Sequence, residues 1–143
     1  MPITSDEDIA ALLRETRTIA MIGASDRPDR PSYTVGQFLM HHGYRVIPVN
    51  PQITGEHLHG EYVWRDLSQI GEPIDMVDIF RRSADAGAAV DQAIAAGAKS
   101  VWLQLGVYDA TAIARAEAAG LKVVADRCPK IEIARLNIAK IER

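Results

Sequence analysis

Residues 18–33, TIAMIGASDRPDRPSY, limit what this chain can fold into more than any other stretch, because they read as a buried strand, a tight turn and a helix start. Ile19, Ala20, Met21 and Ile22 form a continuous apolar run, the pattern of a strand covered on both faces. Gly23 has no Cβ, so the backbone can turn sharply there and approach a ligand closely. Ala24 and Ser25 keep the turn small, and Ser32 is placed to cap a helix whose first free N–H groups point back at it. Free N–H groups and a positive helix end suit an anion, and Arg27 and Arg30 add charge. Taken alone, the stretch also fits an ordinary strand-to-helix turn with no ligand.

The rest of the chain repeats this alternation. A short amphipathic helix over Asp6–Thr16 precedes the first strand, with Thr4 or Ser5 as its cap. A helix from about Tyr33 to His42 follows the loop, ended by His41, His42 and Gly43. Arg45–Val49 is the second strand, and Pro48, which cannot donate to a ladder, belongs at its last pairing positions or at a bulge. Periodicity is weak from Gln52 to Gly71, where YVWRDLSQI reads as an extended piece and a helical turn. Further strands are expected over Asp75–Phe80, Ser100–Leu105 and Leu121–Ala125. Helices are expected at about Ala84–Ala96, capped by Ser83, and over Asp109–Ala119 and Ile131–Ile138.

Strands alternating with helices of this length imply right-handed βαβ units and a parallel sheet. The expected fold is α/β, a Rossmann-like doubly wound sheet of five mainly parallel strands with helices on both faces. The 143 residues suffice for one such domain, spanning 1–143. In such sheets ligands bind beyond the carboxyl ends of the strands, where strand order reverses. That rule selects Gly23–Ser25, Asn50-Pro51, Phe80–Arg82, Gln104–Gly106 and Asp126–Lys130.

A net charge of -3 offers no general attraction to nucleic acid or to an anionic membrane, so anion recognition must be local. No apolar run approaches the roughly 20 residues of a membrane span, and no secretory signal is evident. The single cysteine excludes an internal disulfide, and a cytoplasmic setting is expected. Neither Gly-x-Gly-x-x-Gly after the first strand nor an acidic residue ending the second is present, which argues against a nicotinamide or flavin dinucleotide. A Walker loop is absent too. What remains is a nucleotide fold with cations at its strand ends, suited to some other phosphorylated nucleotide.

Five blocks, IGASDRPDRPSYTVGQFL, GYRVIPVNP, DMVDIFRR, GAKSVWLQLGV and DRCPKIEIARL, occur in an order that resembles the small stand-alone coenzyme A-binding proteins of bacteria. These are similar to the N-terminal domain of the succinyl-CoA synthetase α subunit. The resemblance implies a Rossmann-type domain that binds coenzyme A or an acyl-CoA as its small-molecule ligand, with no protein partner specified. By position, Gly23, Ala24 and Ser25 would sit against the diphosphate, with Arg30 and Ser32 closing the loop. Asn50 and Pro51 would border the adenosine, Ile79, Phe80 and Arg81 the nucleotide and arm, and Gln104, Leu105 and Gly106 the departing pantetheine. Relatives often carry a base just after the Asn-Pro step, where this chain has Gln52. The synthetase's phosphohistidine lies in a second domain, so the full ligase reaction is not expected. On this reading Gly23→Val leaves the protein folded but unable to bind, because a side chain there fills the diphosphate's volume.

No residue set forms a catalytic constellation, and the expected function is non-catalytic binding. Two alternatives stand beside it, a thiol- or acyl-transfer enzyme using Cys128 and a protein that reports ligand levels to a partner. Cys128, between Arg127 and Lys130, could be a thiolate activated by cations or a disulfide partner for the coenzyme's thiol; a small buried residue after a strand is the plainer reading. His57 and His59 lack further ligands at metal spacing and fit a solvated loop. Arg81-Arg82 fit a solvated pair at a helix start, but two cations there oppose the helix dipole, which favours an anionic partner, for Arg81 at least. Trp64 and Trp102 fit core or interface positions rather than base stacking.

Overall fold

The computed structural model describes residues 1–142. Helix α1 (Asp6–Glu15) leads into strand β1 (Thr18–Ile22), followed by α2 (Pro31–His41), β2 (Arg45–Val49) and a small hairpin, β3 (His57–Leu58) and β4 (Glu61–Tyr62). A 3-10 turn at Leu67–Gln69 precedes β5 (Met76–Ile79), α3 (Ser83–Ala95), β6 (Ser100–Leu103), α4 (Ala110–Ala118), β7 (Lys122–Val124) and α5 (Pro129–Arg135). Five strands form one parallel sheet in the order β2-β1-β5-β6-β7. This is the expected doubly wound α/β architecture, and its strand order reverses between β1 and β5.

The sheet is buried on both faces, which is why its strands read as mainly apolar runs, with Asp78 the exception inside β5. Ile19, Met21, Val46, Met76, Trp102 and Val124 pack with residues of α1, α2 and α5. Their neighbours Ala20, Ile22, Val77, Ile79, Val101 and Leu103 pack with α3 and α4. Asp75 fixes the opposite rim, its Oδ2 accepting the backbone N–H groups of Arg17 at 3.0 Å and Thr18 at 2.9 Å.

Two expected caps are corrected. Helix α2 starts at Pro31 with Arg30 as its cap residue, and Ser32 lies buried inside the first turn. Proline has no N–H to satisfy and a φ preset for the first helical position, so it outcompetes the serine. Helix α3 starts at Ser83 itself, after Arg82. The Ser83 hydroxyl instead accepts the Tyr108 N–H at 3.0 Å and donates to the Gly106 carbonyl at 3.2 Å, tying down the loop after β6. Pro48 sits opposite Met21 in the edge strand β2, and its carbonyl accepts from the Trp64 N–H at 3.0 Å. Its missing N–H therefore faces the outer edge rather than β1. The last helix begins at Pro129, earlier than the expected Ile131. Among the described residues no helix is long and apolar enough to cross a membrane.

Candidate functional site

The carboxyl ends of all five strands open onto one cleft of about 900 Å³. Gly23, Ser25, Asp26 and Arg27 line it after β1, and Arg30, Pro31, Ser32 and Val35 from the start of α2. Asn50, Gln52 and Ile53 contribute after β2, and Phe80, Arg81 and Arg82 after β5. The wall continues with Gln104, Leu105, Gly106 and Val107 after β6 and ends at Cys128 after β7.

Ten of the thirteen residues expected at the site therefore share this cleft: Gly23, Ser25, Arg30, Ser32, Asn50, Phe80, Arg81, Gln104, Leu105 and Gly106. Three do not line it. Ala24 is buried beneath the loop, Pro51 is exposed outside the wall, and Ile79 points into the α3/α4 core. Strand alternation accounts for Ile79, since Phe80 beside it takes the opposite face. Val35, Ile53 and Val107 were not expected; an apolar cleft wall has the same sequence signature as a core position.

The turn after β1 is held from two sides. Gly23 has φ +86°, and its N–H donates to the Val49 carbonyl at 3.0 Å. A Cβ at this position would lie 2.0 Å from the Phe80 carbonyl oxygen and 2.7 Å from Arg81 Nη1. The fold itself thus demands glycine, and the expectation that Gly23→Val folds normally is overturned. Asn50 Nδ2 donates to the Ala24 carbonyl at 2.7 Å, while Asn50 Oδ1 accepts the Gln52 N–H at 2.9 Å. Ser25 Oγ accepts the Arg27 N–H at 3.1 Å.

The cleft is cationic on its β1/β5 side. Arg82 pairs with Asp85 at 3.0 Å, and Arg27 is 3.8 Å from Asp29 across exposed surface. Arg30 and Arg81 form no ion pair among the described residues. Two guanidiniums without an ion-pair partner, at the point where strand order reverses, leave their charge available to an anion.

The β6/β7 side is different. Gln104 is buried there, and its Oε1 has no hydrogen-bond partner among the described residues. Asp126, at φ +57°, accepts the Gly106 N–H at 2.7 Å and joins the two strand ends. Trp102, in the core, donates its indole N–H to the Arg127 carbonyl at 2.7 Å and so fixes the residue before Cys128. Arg127 Nη1 is 2.8 Å from Glu132, which also takes Arg135 at 2.9 Å. Burial alone would raise the Glu132 carboxyl, but these two arginines hold it below its usual range. Lys130 lies over the Phe38 ring at 5.7 Å. Both cations beside Cys128 thus have other partners, and cationic activation of its thiol finds no support.

Trp64 and Trp102 do not line the cleft. His57 lies in the hairpin and His59 donates from its ring to the Tyr33 carbonyl at 3.2 Å. No cluster of three potential metal ligands exists among the described residues.

Residues 17–134 match the family model described as a CoA binding domain. The chain is 34% identical over 127 residues to the uncharacterized protein YneT of Bacillus subtilis (strain 168), covering 89% of this chain and 93% of that protein. It is 39% identical to a hypothetical protein from Pyrococcus horikoshii OT3 whose structure superposes with a TM-score of 0.89 over 96% of each chain. A dinucleotide-forming acetyl-coenzyme A synthetase of Ca. Korarchaeum cryptofilum shares the fold in 28% of its length, at 22% identity and a TM-score of 0.68 over 83% of this chain.

Proposed function

The chain belongs to the CoA binding domain family, and from that membership we propose that it is a non-catalytic protein that binds coenzyme A, free or acylated, in the cleft across its strand ends. The observation that supports this reading is the order of chemistry along the sheet. Guanidiniums surround the turn after β1, a neutral buried amide follows at β6, and a thiol ends the row at β7. Coenzyme A carries the same sequence of needs, phosphates first, then amides, then a sulfur. Arg30 and Arg81 supply charge-assisted hydrogen bonds to the diphosphate, and the backbone at Gly23 allows it to approach closely.

The non-catalytic part of the proposal rests on the composition of the wall. Among the described residues lining the cleft, Asp26 is the one carboxylate and none is a histidine, and Asp26 follows β1 while Cys128, the one thiol, follows β7. Titration calorimetry with coenzyme A is expected to show saturable binding, and absence of heat at millimolar ligand would overturn the reading. Incubation with acetyl-CoA is expected to leave the thioester intact beyond the buffer rate; catalysed loss of the thioester would remove the non-catalytic assignment.

A further inference from the structure

We propose that the same cleft is a thiol–disulfide exchange site, where Cys128 captures a nucleotide-linked thiol from its disulfide form and holds it as a mixed disulfide; this rests on the coenzyme A reading above. Cys128 is the chain's single cysteine, is 5% exposed and lines the cleft. Gln104, 6% exposed, lines it one strand nearer the phosphate turn and keeps an unpartnered Oε1. A buried carbonyl oxygen without a donor is a costly arrangement in a folded chain. The accessible half of the same amide is its Nε2–H group, which is hydrogen-bonded to none of the described residues and can donate to an amide carbonyl on a ligand.

Distance across the sheet fits this ligand. From β1 to β7 the order β1-β5-β6-β7 takes three strand steps, roughly 14 Å at about 4.8 Å each. The arm between the diphosphate and the thiol of coenzyme A has about twelve bonds, the length of four extended residues, about 14 Å. Laid from the Gly23 turn along the strand ends, it carries its amides past β6 and brings its sulfur to Cys128.

The exchange needs no further oxidant. The Cys128 thiolate attacks the nucleotide-bound sulfur of a disulfide, CoA–S–S–R; a Cys128–S–S–CoA bond forms, the old S–S bond breaks, and the R–S⁻ that leaves takes up the proton Cys128 released. Arg127 and Lys130 are held by Glu132 and Phe38, so the arm's placement, rather than a neighbouring cation, drives the reaction. Burial of the thiol shields it from disulfides that have no nucleotide to anchor them.

Reduced, ligand-free protein is incubated with coenzyme A disulfide or with glutathione disulfide and its intact mass followed without reductant, while calorimetry measures coenzyme A binding to the same preparation. The expected result is an adduct of one coenzyme A moiety, reversed by dithiothreitol, absent in Cys128→Ser, and formed at least tenfold faster than the glutathione adduct. Gln104→Leu is expected to shrink that ratio. Equal rates for the two disulfides, or no adduct in protein that binds coenzyme A calorimetrically, overturns the exchange site and leaves the binding reading in place. Absence of coenzyme A binding overturns both.

Discussion

Asn50 and Ala24 are joined by a 2.7 Å hydrogen bond from the Asn50 side-chain amide to the Ala24 carbonyl, which ties the end of the edge strand to the turn after β1. The other half of the same amide accepts the Gln52 N–H, so Asn50 spends both of its polar groups inside the protein. In the proposed complex its part is therefore to position the turn. Asn50→Asp removes the donor and sets a carboxylate against a carbonyl oxygen, at a cost of about 1–3 kcal/mol. Urea unfolding is expected to show that loss, and calorimetry a weaker coenzyme A complex. An unchanged midpoint would show that the tie carries no energy.

Gly23 is expected to be intolerant of any side chain even when no ligand is present. A left-handed φ costs a non-glycine residue about 1–2 kcal/mol. The added Cβ would also meet the Phe80 carbonyl at 2.0 Å, and a backbone oxygen fixed by the sheet cannot yield cheaply. Ligand-free Gly23→Ala should therefore unfold at clearly lower urea than the parent, by at least about 2 kcal/mol. A parent-like midpoint would mean that β5 moves freely away from the turn.

The strand ends were legible in the sequence because a doubly wound sheet places its ligand site by rule, and the apolar run IAMI with Gly23 after it marks where β1 stops. Local chemistry also gave the cap of α1, where Ser5 was one of two candidates, whereas Asp109, read as the first residue of α4, is its cap. It failed at Ser32, where Pro31 one residue earlier already starts the helix. It failed at Ile79 because a ligand-facing run was carried over without the period of two that turns every second side chain inward. The reason for Gly23 lies in Phe80, distant in sequence and adjacent only once β1 and β5 pair. The internal use of Asn50 was hidden for the same reason, since its partner lies across two strand ends.

Asp78 is expected to weaken the fold as pH rises. It lies in β5 opposite Met21 and Trp102, fully buried, with neither carboxylate oxygen hydrogen-bonded to any described residue. Burial pushes its carboxyl well above the ordinary value of 3.8. Folding thus favours the protonated form, so this group's contribution to stability is fully present below the unfolded value and is lost as pH rises toward the folded one. Asp78→Asn, which cannot ionise, should match the parent near pH 4 and exceed it at pH 7, on the order of 1 kcal/mol or more. Unfolding midpoints that stay parallel across this range would contradict the buried, neutral acid.

Selectivity between coenzyme A and related nucleotides should follow from charge at the end of β2. NAD sites place a carboxylate there to accept from a free ribose diol, and a carboxylate repels the 3′-phosphate that coenzyme A carries at that place. Here Asn50 is neutral and hydrogen-bonded within the protein, and Gln52 lines the same cleft as Arg27 and Arg30. A phosphate there gains charge-assisted hydrogen bonds worth about 1.5–3 kcal/mol each when well formed. Coenzyme A is accordingly expected to bind more tightly than its 3′-dephospho form, with NAD weakest. Gln52→Lys adds a cation where the chain offers a neutral amide, and it should widen the gap between the first two ligands. The widening should be largest at low ionic strength, since exposed charges are screened within about 8–10 Å at physiological salt. Calorimetric titrations of all three ligands at low and physiological salt test this. Equal affinity for coenzyme A and dephospho-coenzyme A in both proteins would place the 3′-phosphate in solvent and remove Gln52 from the recognition surface.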